Sequence, residues 1–168
     1  LLAPHEVVLD TQAWGLDHGS WSVLVHMYPQ ADIPVVQLSL DVERSPAQHY
    51  ALAARLAPLR DEGVLIAGFG NIVHNLRTAR RDDAAPPYPW AARFDAAVAR
   101  ALQTGDHQAL CDWRGLDAQA EFSVPTDEHY LPLLYAAAVH GGDAPSFPTE
   151  GVIWGSLSMR SVAFGLAP

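Results

Sequence analysis

Two short apolar segments on either side of a helix constrain the fold of this chain more than any other feature. Residues 35–40 and 64–67 are rich in β-branched and aliphatic side chains, which is typical of buried strands. Between them, Ser45 can cap a helix, Pro46 suits its first position and Gln48 can close a capping box. A strand, a helix and a strand of these lengths predict a βαβ unit with parallel strands.

The remaining segments are consistent with one α/β domain. Apolar spacing and capping signals predict three more helices, at residues 20–28, 90–102 and 127–139. Phe94, Val98 and Leu102 give the second of these an apolar face. Alternation within residues 151–164 predicts a strand or a hairpin. The predicted fold class is therefore α/β, a single domain with a mainly parallel or mixed central sheet flanked by helices.

Charge and cysteine content exclude several classes of protein. The net charge is −9 and all ten positive side chains are arginine, so the chain has no basic stripe for nucleic acid. No apolar run approaches the roughly 18 residues that a membrane-spanning helix needs. Cys111 is the single cysteine, which excludes an internal disulfide and a cysteine-rich zinc site. We expect a cytoplasmic protein that binds neither nucleic acid nor membrane.

One histidine follows a predicted strand. His74 comes shortly after residues 64–67, and Gly68 and Gly70 allow the backbone to bend sharply between them. Ligands of open α/β sheets bind beyond the carboxyl ends of parallel strands, so His74 is a candidate functional residue. The same pattern is also compatible with a tight loop that leads into a helix.

Two further histidines lie beside acidic residues. Asp17 precedes His18 and could orient its ring, although a polar turn explains the same residues. Glu128 precedes His129 in the first turn of a predicted helix, where the pair could bind a metal. Acidic residues are also favoured in a first turn for capping alone. The spacing does not decide between these alternatives.

Taken together, these segments resemble one protein family. The resemblance rests on five ordered stretches, residues 14–24 with Asp17-His18-Gly19, 28–39, 70–77 with His74, 128–135 with Glu128-His129-Tyr130, and 155–159. They resemble the class III (LigB-like) extradiol ring-cleavage dioxygenases, in the subgroup of the DOPA 4,5-dioxygenases. The resemblance implies a LigB-like fold and cleavage of a catechol-type ring beside its two hydroxyls, with O2 as co-substrate.

The resemblance also implies roles for individual residues. His74 and His129 would bind a non-haem Fe2+ ion, for which Zn2+ can substitute. His18 would contact the substrate as an acid–base or hydroxyl-binding residue, and His74 could instead be the base. Trp21 and Tyr130 could line the substrate, although core packing is the favoured role for both. A homo-oligomer is compatible with the family.

The sequence departs from the family pattern in one respect. Family members begin with a strand and a His-Gly-Ser-Pro turn and later carry a Ser-Ala-His-Trp segment, whose histidines are metal ligands by resemblance. Neither motif occurs here. We therefore expect residues 1–168 to be the C-terminal two-thirds of a single, N-terminally truncated dioxygenase domain. Weak iron affinity and an exposed sheet edge and apolar surface should follow.

Two other functions remain open from the sequence. The chain could be a non-catalytic α/β module that pairs with another chain, or a metal-dependent hydrolase on a similar sheet. A hydrolase would turn over esters or amides without O2, whereas a dioxygenase requires O2.

Overall fold

A computed structural model describes residues 1–166, so the last two residues of the predicted 1–168 domain lie outside the described residues. Its α-helices are α1 (His18–Met27), α2 (Pro46–Ala54), α3 (Pro58–Asp61), α4 (Pro89–Thr104), α5 (His107–Cys111), α6 (Ala120–Ser123) and α7 (Leu131–Ala138). Its strands are β1 (Pro145–Ser146), β2 (Val152–Ile153), β3 (Leu157–Ser158) and β4 (Ala163–Phe164). Two 3-10 helices lie at Trp113–Gly115 and Asp127–His129.

The local helix signals are confirmed. The Ser45 hydroxyl accepts a hydrogen bond from the Gln48 amide, and the Gln48 side chain accepts one from the Ser45 amide, so α2 begins with the predicted capping box. The predicted helix over residues 127–139 is present in two parts, a 3-10 turn followed by α7. Pro132 lies in the first turn of α7, where its missing amide breaks no helical hydrogen bond.

The hydrophobic core forms around α4. Phe94, Val98 and Leu102 are buried as predicted, on the face of α4 that turns towards the rest of the chain. Phe94 meets Trp113 edge to face with ring centroids 6.3 Å apart, and Trp113 in turn lies 5.9 Å from the Tyr130 ring. These aromatic contacts fix α4 against the segments that surround α7.

Helix α2 packs against α7 and carries a buried polar contact. The His49 ring is fully buried, with its Nδ1 atom 2.9 Å from the Tyr135 hydroxyl and its Nε2 atom 3.1 Å from the Asp41 carbonyl. Burial lowers the pKa of His49, so the neutral imidazole is favoured at this position. His49 is therefore a structural residue, and both of its ring nitrogens have a hydrogen-bond partner.

The predicted parallel sheet is not present in residues 1–166. Residues 35–40 and 64–67 form no strand, and no βαβ unit is assembled around α2. A strand exists only when a neighbouring backbone pairs with it, and the described part of the chain offers no partner to either segment. Their apolar side chains are exposed instead, with Val36 84% and Leu65 64% exposed.

The sheets that do form are small and antiparallel. Strand β2 pairs with β3 as a hairpin, and β1 pairs with β4. The hairpin prediction for residues 151–164 is thereby confirmed. An isolated antiparallel bridge joins His74 to Leu157 of β3, so this hairpin also fixes the position of His74.

Large apolar side chains are exposed in three segments of the chain, in agreement with the exposed apolar surface that the sequence predicts. They are Val7, Val8, Leu9, Trp14, Val35, Val36, Leu38, Val64 and Leu65. The predicted N-terminal truncation remains a prediction.

Within residues 1–166, no helix combines the length and the apolar character that crossing a membrane requires.

Candidate functional site

The loop at residues 68–70 brings two distant histidines together. Its backbone passes so close to the start of α7 that a Cβ atom on Gly70 would collide with the His129 carbonyl oxygen, and one on Gly68 with the Pro132 carbonyl oxygen. The Asn71 amide then donates a 2.8 Å hydrogen bond to the His129 carbonyl. The two glycines are therefore required by the close approach of the backbones, which is a different reason from the sharp bend that the sequence predicted.

Backbone contacts on both sides hold His74. Its amide donates to the Ser123 carbonyl at 2.9 Å, and the Ser158 amide donates to the Val73 carbonyl at 3.0 Å. The buried Asn75 side chain donates to the Phe122 carbonyl at 2.8 Å, which ties the following residue to α6. Because these bonds come from separate elements, the backbone at His74 has little freedom to move.

The two imidazoles stack face to face. The ring centroids of His74 and His129 are 3.6 Å apart and their planes differ by 28°. Glu128 Oε1 lies 3.6 Å from His129 Nε2. These residues border an open cleft of about 290 Å³, which is lined by His74, Asn75, Leu76, Arg77, Pro125, Thr126, Glu128 and His129. Residues 74 and 129, which the sequence placed among the candidates separately, thus share one site.

The protonation states in the cleft follow from its geometry. Burial lowers the pKa of His74, and the neighbouring His129 ring lowers it further because two stacked imidazolium ions would repel each other. Burial alone would raise the pKa of Glu128, but a 2.7 Å hydrogen bond from the Thr126 hydroxyl and the nearby histidines lower it below its ordinary value. At neutral pH the cleft therefore contains a neutral His74 imidazole and an anionic Glu128.

The histidine pair fits a metal ion in the type of its donors but not in their number. Neutral imidazole is a common ligand of iron and zinc. Within residues 1–166, however, no group of three His, Cys, Asp or Glu side chains is close enough together to hold a metal ion. The described residues supply two imidazoles, which do not complete a metal centre.

His18 lies at the start of α1, outside the lining of the His74–His129 cleft. Its Nδ1 atom is 2.7 Å from Asp17 Oδ1, so the adjacent carboxylate does orient the ring. The imidazole is 86% exposed. A Cβ atom on the next residue, Gly19, would lie 3.9 Å from the Phe69 Cβ atom, which places the start of α1 beside the loop that reaches His129.

The two predicted aromatic contacts differ in position. Trp21 is exposed on α1, one turn after His18. Tyr130 is fully buried in the core, where its hydroxyl donates a 3.0 Å hydrogen bond to the Leu110 carbonyl. A ring enclosed by Phe94 and Trp113 does not reach the cleft, so the structure places Tyr130 in the core rather than among residues that line a ligand.

Sequence reasoning did not single out Arg77, which lines the cleft beside His74. The only available signal was its spacing of three residues from His74, which in a turn places both side chains near one another. Asn75, whose buried side chain anchors this turn, was not predicted either.

Replacing Gly70 by alanine is expected to lower the free energy of unfolding by about 1–3 kcal/mol and to separate the two imidazoles. The new methyl group has to displace the His129 carbonyl, which breaks the hydrogen bond from Asn71. Urea unfolding measures the first effect, and NMR of the histidine rings measures the second. Gly115→Ala is the matched control, because a Cβ atom there meets no described atom within 4 Å. Equal effects of the two substitutions would contradict the prediction.

Comparison with known proteins gives a consistent result. The sequence model of a family described as the catalytic LigB subunit of aromatic ring-opening dioxygenase matches residues 3–165. The chain is 46% identical over 177 residues to a 4,5-DOPA dioxygenase extradiol of Escherichia coli (strain K12), covering 98% of this chain and 62% of that protein. It is 39% identical over 132 residues to a 4,5-DOPA dioxygenase extradiol of Beta vulgaris, covering 76% of this chain and 47% of that protein.

A solved structure is similar over nearly the whole chain. A crystal structure of an uncharacterized protein from Escherichia coli K12 is 46% identical and superposes with a TM-score of 0.90, covering 98% of this chain and 68% of that one. The chain spans less than two-thirds of the length of the curated relatives described above.

Proposed function

Since the chain belongs to the LigB family of aromatic ring-opening dioxygenases, we propose that the protein it comes from cleaves the ring of a DOPA-like catechol with O2. Cleavage falls beside the two hydroxyls, and both atoms of O2 enter the product. The observation that carries this proposal is the stacked pair of His74 and His129 in an open cleft. The family predicted from the sequence motifs is confirmed.

The family is one of non-haem, metal-dependent enzymes, and we propose Fe2+ as the metal, with Zn2+ able to take its place. His74 and His129 would supply two of its ligands, and the metal would supply the chemistry that activates O2 and the catechol. Because the described residues offer no third close donor, further ligands have to come from elsewhere. The two upstream histidines expected from the family motifs remain a prediction.

Histidines of this chain are also proposed to move protons. A neutral imidazole can accept a proton from a catechol hydroxyl near neutral pH. The lowered pKa of His74 supports this role for it, as an alternative to metal binding. His18 is proposed as the second acid–base or hydroxyl-binding residue, since its ring is exposed and oriented by Asp17. Trp21 is proposed to contact the substrate beside His18. Tyr130 is not, because it is buried in the core.

Anaerobic reconstitution with ferrous iron followed by L-DOPA in air tests the proposal. The full natural gene product is expected to consume one O2 for each L-DOPA and to form a yellow ring-cleavage product. The 168-residue chain assayed beside it is expected to turn over poorly, because two imidazoles hold iron weakly. Absence of O2 uptake by the full product, while it is folded and iron-loaded, would contradict the proposed reaction.

A further inference from the structure

Arg77 is a cation at the edge of the histidine cleft. It lines the same cleft as His74 and His129, and its side chain is exposed. Within residues 1–166, its guanidinium makes neither an ion pair nor a hydrogen bond. The backbone beneath it is fixed, because the Arg77 amide donates a 3.1 Å hydrogen bond to the buried Asn75 side chain.

Most arginines of this acidic chain are engaged by acidic partners or carbonyl oxygens. The ion pairs are Arg44 with Asp41, Arg60 with Asp143, Arg93 with Asp117, Arg114 with Glu121 and Asp127, and Arg160 with Asp95 and Glu150. Arg55 and Arg80 donate to backbone carbonyls. Among the described residues, the guanidinium groups of Arg81 and Arg100 also have no ion pair or hydrogen bond, but neither arginine lines the cleft. Arg77 is thus the unpaired guanidinium that a ligand beside His74 would meet.

The cleft presents opposite charges to a ligand. The guanidinium of Arg77 can donate two parallel N–H hydrogen bonds to a carboxylate. The ammonium group of a lysine acts as a point charge and does not match the carboxylate in this way. Glu128 lines the same cleft, and its carboxylate accepts a 2.7 Å hydrogen bond from the Thr126 hydroxyl, which favours the anionic form. A ring substrate that lies against the two imidazoles therefore has a cation within the same cleft for an acidic substituent.

We propose that Arg77 determines substrate specificity by binding a carboxylate on the side chain of the catechol. The inference rests on the proposed ring-cleavage function and extends it, since it names the group that the site recognises besides the two hydroxyls. It predicts that catechols with a terminal carboxylate are preferred to neutral catechols of the same size. Arg77 contacts no reacting atom in this proposal and acts on binding alone.

Kinetics of the full natural protein with Arg77→Gln test the proposal. The probes are 3,4-dihydroxyphenylpropionate and the uncharged 4-ethylcatechol. For the carboxylate, kcat/KM is expected to fall by about 10- to 100-fold through KM, which is the loss of one charge-assisted contact. For 4-ethylcatechol it is expected to change by less than about 2-fold, because no charged contact is lost. Arg77→Lys should restore part of the loss, because it keeps the charge without the fork.

Arg100→Gln is the matched control, since Arg100 is exposed on α4, unpaired among residues 1–166 and outside the cleft. It should leave both substrates unaffected. An equal loss for both substrates in Arg77→Gln, or no loss for either, would overturn the proposal. The same would follow if Arg100→Gln reproduced the selective loss.

Anaerobic binding of the same two probes, measured by calorimetry, separates this inference from the proposed reaction. If wild-type protein cleaves no catechol, the ring-cleavage function fails, but the affinity comparison still decides the role of Arg77. Tighter binding of 3,4-dihydroxyphenylpropionate than of 4-ethylcatechol, lost in Arg77→Gln, supports the carboxylate site. Equal affinities of the two probes for wild-type protein would reject it.

Discussion

Replacing Asp95 by alanine is expected to lower the free energy of unfolding by about 3–5 kcal/mol, the cost of leaving one partner of a buried ion pair alone. Asp95 accepts hydrogen bonds from the Ser158 hydroxyl at 2.6 Å and from two nitrogens of Arg160, at 2.7 and 3.1 Å. The side chains of Asp95 and Arg160 are only 7% and 10% exposed. Without the carboxylate, the guanidinium would be left in the core with an incomplete set of partners.

Glu150→Gln provides the control for this prediction. Glu150 contacts the same guanidinium at 2.7 Å, but its side chain is largely exposed, so its loss should cost about 1 kcal/mol or less. Urea unfolding followed by tryptophan fluorescence measures both variants. If the two lose the same stability, then burial does not set the strength of this network and the prediction is wrong.

The Asp95 network also bears on the histidine cleft. Ser158 donates its hydroxyl to Asp95 and its amide to the Val73 carbonyl, one residue before His74. Strand β3 is therefore held between a buried ion pair and the backbone that carries the imidazole. This arrangement explains why the backbone beneath His74 is rigid although the cleft is open to solvent.

Local signals in the sequence predicted the helices well. The capping box of Ser45 and Gln48 and the apolar face of α4 are present as predicted. Each depends only on residues within two or three helical turns of one another. The position of Pro132 in the first turn of α7 follows in the same way. Such features need no knowledge of the remaining fold, because the interactions that create them lie within one element.

The strands could not be predicted in the same way, because their pairing is not local. The composition of residues 35–40 and 64–67 indicates strands, but hydrogen bonding depends on a partner that residues 1–166 do not provide. Short pairs such as β1 with β4 have no apolar run to reveal them. The sheet topology was consequently the part of the fold that sequence analysis predicted wrongly.

The candidate site was predictable in its histidines but not in its geometry. The family motifs pointed to His74 and His129, and the close approach at Gly70 is what brings their rings to 3.6 Å. The family resemblance suggested Tyr130 as a substrate contact, with core packing as the favoured alternative, and its side chain is buried in the core. The spacing of Arg77 from His74 was not enough to distinguish it, since exposed arginines are common and its lack of a partner among residues 1–166 is visible only in three dimensions.

Alanine at His74 or His129 is expected to reduce ring cleavage by the full natural protein by about 10²- to 10⁴-fold, because His74 is proposed as a proton-transfer residue or a metal ligand and His129 as a metal ligand. The two rings stack within one cleft, so removal of either also removes the packing that orients the other. His26→Ala is the control, because His26 is exposed on α1 and does not line the cleft that contains His74 and His129.

Iron content and pH dependence, measured on the same variants, separate the two proposed roles of His74. If His74 binds the metal, His74→Ala should lose iron as severely as His129→Ala does. If it acts as the base, the variant should keep its iron, and the acid limb of the pH–rate profile should change. The sign follows from burial: the lowered pKa of His74 places that limb below the ordinary histidine value, with activity lost as the pH falls through it. Cleavage that persists at wild-type rate when His18, His74 and His129 are all replaced would show that the reaction takes place at another site.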